Sequence, residues 1–240
     1  MNKRAHAKRR LKAVPKLALK RWWRLKSRKL AERLVRAYMR RKLPYMERKR
    51  RRALKAAFET AKNYAIKNEN GKFKGLSTLY NIALYLLIAD RDIQAVKIDT
   101  LTHPDEWTRK LGARIILLTI YEWDADKVTG RQLKDALELM LIPEELKREA
   151  IESLRALRVI QRKANKQFSF VRNTVIGHRD PNALVQYRAI RDLKVEEVMM
   201  IGMEFFTEAN KFINVLTRVM LAGNSMPSFL SQWSASTKNS

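Results

Sequence analysis

Residues 170–180 read Phe170-Val171-Arg172-Asn173-Thr174-Val175-Ile176-Gly177-His178-Arg179-Asp180, and chemically useful side chains crowd there as nowhere else in the chain. A guanidinium, an amide and an imidazole follow one another closely. On an uninterrupted α-helix, turning about 100° per residue, Arg172 and His178 stand roughly 600° apart and point away from each other. Gly177 predicts a helix end near Ile176, with the glycine turning left-handed and swinging His178 back toward Arg172. Asp180-Pro181 then carries the chain away from the helix axis. Apolar residues recur every three or four positions on both sides, so the stretch joins two long helices of an all-α protein.

Arg172-Asn173, four further residues and His178, followed by Arg179-Asp180, resemble the R-x(4–6)-H motif of the HEPN superfamily, small α-helical domains found in many toxin, antiphage and RNA-processing ribonucleases. The resemblance covers roughly residues 76–221 and departs at Gly177, where many members carry alanine. It implies a helical bundle and a metal-independent endoribonuclease leaving 2′,3′-cyclic phosphate and 5′-hydroxyl ends. It also implies a homodimer in which two motifs meet and the second chain supplies a second histidine. A toxin or antiphage-effector role is an expectation of the same kind. An earlier helix often lends the family's site a polar or acidic residue, and Glu122 in Ile120-Tyr121-Glu122-Trp123 resembles that position; read on its own, it is equally an exposed glutamate at a helix end.

The chemistry asks for these residue types. Cutting RNA without a metal requires removing a 2′-hydroxyl proton, protonating the departing 5′-oxygen and neutralising charge on a pentacoordinate phosphorus. An imidazole, with an ordinary pKa near ~6.5, exchanges a proton at neutral pH. A guanidinium holds two phosphate oxygens in a planar fork. The candidate catalytic set is therefore His178 as general base or acid, Arg172 as phosphate clamp, Asn173 as orienting amide, and Glu122. The residues alone also fit a helix C-terminus in which Arg172 pairs with an acid and His178 caps carbonyls.

Net charge is +27 over 240 residues, unevenly spread. Residues 1–60 hold 24 Lys and Arg against three acids, a net +21, while the remaining 180 hold 27 against 21, a net +6. Such density binds polyanions through counterion release without reading sequence, so RNA or another nucleic acid is the expected partner. Candidate nucleic-acid contacts are Arg21, Trp22, Trp23, Arg24, the block Arg48, Lys49, Arg50, Arg51 and Arg52, and Lys166 and Arg179 around the motif. Trp22 and Trp23 suit base stacking, insertion into an anionic membrane surface, or packing of the arm onto the domain. A rival reading is a non-catalytic nucleic-acid-binding or scaffold protein. A third is a partner-docking module whose arm folds against an acidic protein, a nucleoprotein or an inhibitory partner.

The sequence divides into a basic two-helix arm (1–67), a HEPN-like helical domain (76–221) and a flexible tail (222–240). Pro44 is expected to end the first arm helix, and residues 68–75, with Asn70-Gly71, form a linker. Leu76–Ala89 is a core helix too short to span a bilayer. Thr102 is expected to cap the next helix, and a bend is expected near Asn165 in the long helix from Pro143 to Ile176. There is no cysteine, and His6, His103 and His178 are too scattered for a metal set, so neither metal nor cofactor is expected. No P-loop or G-x-S-x-G motif occurs, which excludes those routes to nucleotide or ester hydrolysis. No signal-peptide core follows the basic start, and the expected compartment is the cytoplasm.

Overall fold

Leu76, Leu79, Ile82, Ala83 and Leu86 recur at helical spacing and are all buried, so the helix that carries them turns one side to the core. The structure, a computed structural model, describes residues 30–67, 73–124, 127, 133–177 and 180–237, and these are helical apart from short connections. In chain order the elements are α1 (30–46), α2 (Arg48–Lys67), α3 (Lys74–Thr102), α4 (Glu106–Glu122), α5 (Leu133–Leu139), α6 (Glu144–Val171), a π-helical turn (Arg172–Ile176), α7 (Ala183–Asp192), α8 (Val195–Gly223) and α9 (Met226–Thr237). The all-α class expected from the sequence is observed among the described residues.

Helices α3, α4, α6 and α8 enclose the core. Two cross-helix ion pairs set α6 against α8: Glu149 with Arg218 at 2.7 Å, and Lys163 with Glu204 at 2.6 Å. Stepping fourteen residues up one helix steps fourteen down the other, so the two run antiparallel. Between α3 and α4 the backbones pass closely, because a Cβ built on Gly112 sits only 2.0 Å from Thr100 Oγ1. A side chain at position 112 therefore collides with Thr100 unless one of the two shifts.

Several boundaries differ from the sequence expectation. Helix α3 continues beyond Ala89 through Asp90-Arg91-Asp92 to Thr102, since Arg91 and Asp92 fall on its exposed side while Ile93 returns to the core. Thr102 closes α3, its hydroxyl donating to the Ile98 carbonyl at 2.7 Å. The cap of α4 is instead Asp105, whose carboxylate accepts from the Thr108 amide at 2.8 Å. His103 sits in the turn between them, its Nδ1 accepting from the Asp105 amide at 3.2 Å.

Pro44 does not end the first arm helix. Residues 30–46 are helical through it, and a turn at Glu47 separates them from α2. A proline removes one amide donor, and neighbours can carry the helix past that loss. The arm is also fastened: Glu47 pairs with Lys97, Arg40 with Asp99 at 3.5 Å, and Tyr64 stacks on Tyr80 at 4.7 Å.

Where the sequence suggests a flexible tail, Met226–Thr237 forms α9. Its Gln232, 2% exposed, uses Oε1 to accept the Leu76 amide at 3.3 Å, and its Ser231 hydroxyl donates to the Leu139 carbonyl at 3.0 Å. Phe229 packs on Phe73 with ring centres 4.7 Å apart. The polar residues of the segment thus satisfy backbone groups at the ends of two other helices.

Among the described residues no helix is long and apolar enough to cross a membrane.

Candidate active site at a π-helical turn

The long helix α6 stays regular until Phe168, whose φ of −117° and ψ of 18° leave the helical range. The bend expected at Asn165 therefore falls three residues later, at a buried aromatic. From Arg172 the chain widens into a π-helical turn, in which the Gly177 amide donates to the Arg172 carbonyl at 2.8 Å, five residues back. The Asp180 amide reaches the Thr174 carbonyl at 3.0 Å. Such wide turns are rare and recur at functional sites. Val171, Thr174 and Val175 face inward while Arg172 and Asn173 are exposed, so the apolar residues anchor the turn and the polar pair faces solvent.

Gly177 does not turn left-handed as expected; its φ of −80° and ψ of −44° are right-handed helical. A Cβ there meets only the Arg172 carbonyl oxygen at 3.6 Å, an ordinary contact. Up to Gly177 the hydrogen-bond ladder widens while the backbone keeps its right hand.

Arg172 is held from one side. Its Cζ lies 5.4 Å from the ring centre of Tyr121, near the end of α4. Tyr121 is 8% exposed and its hydroxyl donates to the Ala164 carbonyl of α6 at 3.1 Å. Burial pushes its phenol up to about 12, with the Arg172 charge acting in the opposite direction. The ring therefore stays neutral and presents its electron-rich face to the guanidinium.

The end of α4 is itself pinned. Gln161 Nε2 donates to the carbonyls of Ile120, at 2.9 Å, and Trp123. The Tyr85 hydroxyl donates to the Glu122 carbonyl at 2.8 Å. Trp123, 2% exposed, packs edge-on to Phe205 at 6.0 Å. Side chains from α3, α6 and α8 thus fix the helix end that carries Tyr121, and through it Arg172.

The structure separates some of the expected site residues. The exposed Glu122 side chain lines a groove of about 260 Å³ with Tyr85, Asp92 and Thr119, and that lining contains no residue of the 172–176 turn. No ion pair joins Glu122 to Arg172 among the described residues. His178 and Arg179 lie outside the described residues, as do Arg21, Trp22, Trp23 and Arg24. Arg48, Lys49, Arg51 and Arg52 are exposed at the start of α2, where Arg50 lies on the same helix, and Lys166 is exposed on α6. Tyr121, which the sequence presents as the neighbour of Glu122, holds Arg172 through a contact that no local pattern signals.

No family model matches this chain, and neither does any curated protein or solved structure.

Proposed function

We propose that the chain is a metal-independent endoribonuclease of the R-x(4–6)-H type, acting at the turn that begins with Arg172. What supports this reading best is the state of Arg172: a permanent cation, exposed on a rare π-helical turn, backed by a neutral buried ring and opening the motif that ends in His178. A guanidinium held from behind loses little orientational freedom on meeting a phosphate, so it stabilises the charge that builds up on phosphorus.

In the proposed reaction a base, assigned to His178, takes the proton of a ribose 2′-hydroxyl. The 2′-oxygen attacks the adjacent phosphorus while Arg172 binds its non-bridging oxygens. The bond to the 5′-oxygen breaks, and that oxygen leaves with a proton from an acid. Products are a 2′,3′-cyclic phosphate and a 5′-hydroxyl. A second copy of the motif across a homodimer supplies the acid, and Asn173, exposed beside Arg172, orients the scissile phosphate. The exposed cations of α2 add sequence-independent affinity. Assignment as a toxin or antiphage effector rests on the resemblance alone.

Purified protein incubated with total RNA and a chelator should produce cyclic-phosphate ends, lost in Arg172→Ala and His178→Ala. Equal cutting by all three proteins sinks the mechanism. The second reading, a binder without catalysis, draws on the exposed block at the start of α2; it requires RNA retention without any new ends, abolished by reversing the charges of Arg48, Lys49, Arg51 and Arg52.

A further inference from the structure

Two large aromatic side chains lie together on the surface although they come from distant parts of the sequence. Trp107, in the first turn of α4, is 47% exposed, and Tyr187, on α7, is 49% exposed. Their ring centres are 6.5 Å apart and their planes differ by 20°. The Arg114 guanidinium lies 5.9 Å from the Trp107 ring centre, and Arg188 is exposed next to Tyr187. Helix α7 is tied to α4 by Lys110, whose ammonium donates to the Arg191 carbonyl, and it packs on the π-helical turn through Ala189, Ile190 and Val175. The aromatic pair is thus mechanically continuous with the turn that carries Arg172.

Spacing along α4 makes that continuity directional. Positions 107, 114 and 121 are seven residues apart, and each step of seven drifts by only ~20°, so the three share one side of the helix. From end to end they cover about 21 Å of helix axis. Along that side Tyr187 and Arg114 meet the exposed Trp107, and two turns beyond Arg114 the buried Tyr121 supports the exposed Arg172.

We infer that Trp107 and Tyr187, with Arg114 and Arg188, form a platform for single-stranded RNA that leads its backbone toward Arg172. This deepens the proposed function and rests on it for the direction of the strand. Unpaired bases stack on exposed rings while cations follow the phosphates; a duplex keeps its base faces covered and cannot use such rings. Near the platform Asp192 is paired with Arg191 at 2.8 Å and Glu106 with Lys110 at 2.7 Å, and the charge that Asp105 keeps is outnumbered by those of Arg109, Arg114 and Arg188. The patch therefore complements an anion. A second copy packed two-fold on the same patch brings like guanidinium groups together, which disfavours it.

The test uses the full chain carrying His178→Ala, a short fluorescein-labelled single-stranded RNA, and the same RNA annealed to its complement. Fluorescence anisotropy should give tighter binding of the single strand. Trp107→Ala with Tyr187→Ala should weaken it roughly 10-fold or more while duplex binding, carried by the arm, is unchanged. Trp107→Phe with Tyr187→Phe should retain most of the affinity, and Arg188→Glu, which disturbs no packing, should lose several-fold. Unchanged single-strand affinity in either the double-alanine or the Arg188→Glu protein overturns the platform. So does a double-alanine protein that changes mass in sedimentation while binding RNA normally, because the surface is then a contact between copies. If this pattern holds and the wild type makes no cuts, only the nuclease reading fails; if cuts are made and the pattern is missing, only the platform fails.

Discussion

Replacing Tyr121 separates what its ring does from what its hydroxyl does. Tyr121→Phe keeps the ring under Arg172 and removes one hydrogen bond, to the Ala164 carbonyl at 3.1 Å. Such a bond contributes about 1 kcal/mol, which in a chain of this size lowers the melting temperature by about 2–4 °C. Tyr121→Leu also removes the cation–π contact and leaves part of a buried aromatic volume empty, for a total of about 2–4 kcal/mol and a drop of about 5–15 °C. Calorimetry measures both. The decisive readout is the NMR signal of the Arg172 side chain, whose protons should be shifted upfield by the ring in wild type and in Tyr121→Phe and return to ordinary positions in Tyr121→Leu. If the leucine protein is no less stable than the phenylalanine one, and the Arg172 signals are the same in all three, Tyr121 does not hold the guanidinium.

Alkaline unfolding should carry the mark of the same phenol. Burial raises Tyr121 to about 12 against an ordinary value near ~10, so the folded state keeps a proton that the unfolded state has lost. Its contribution is complete below pH ~10 and disappears as pH climbs to about 12, so urea midpoints should fall across that window less steeply in Tyr121→Phe. Tyr80, also raised by burial, keeps part of the slope, so a difference between the two proteins is what counts. At the crossing of α3 and α4, Gly112→Ala should cost about 1–3 kcal/mol, because its methyl lands 2.0 Å from Thr100 Oγ1 and 3.2 Å from Thr100 Cβ. Adding Thr100→Ala should recover part of that loss in a denaturant titration; strict additivity of the two changes refutes the clash.

The helical class is readable from the chain because apolar residues such as Leu76, Leu79, Ile82 and Leu86 repeat at a spacing only a helix can bury on one side. Helix ends are less legible. Asp90-Arg91-Asp92 looks like an end when charge is counted, yet the helix runs on because two of the three face outward. Thr102 and Asp105 both satisfy the composition of a cap, and only the geometry decides between them. The tail was misleading because Ser231 and Gln232, which look solvent-loving, spend their polarity on the backbone of other helices. Of the site, the exposure of Arg172 follows from its place beside the inward Val171 and Thr174. Its aromatic support depends on a contact between residues 121 and 172, which no local pattern encodes. Tyr187 and Arg188 can be read from the sequence as base-stacking and phosphate contacts or as cover for the core, but the meeting of Tyr187 with Trp107 depends on a contact between distant residues.

The tie between Leu76 and Gln232 spans 156 positions, and its acceptor is among the last residues of the described chain to leave a ribosome. The Leu76 amide, in the first turn of α3, therefore waits for 156 further residues before its partner is made. A chain that stops short of Ser231 leaves the Leu76 amide and the Leu139 carbonyl without the side-chain clasp that α9 closes across both helix ends.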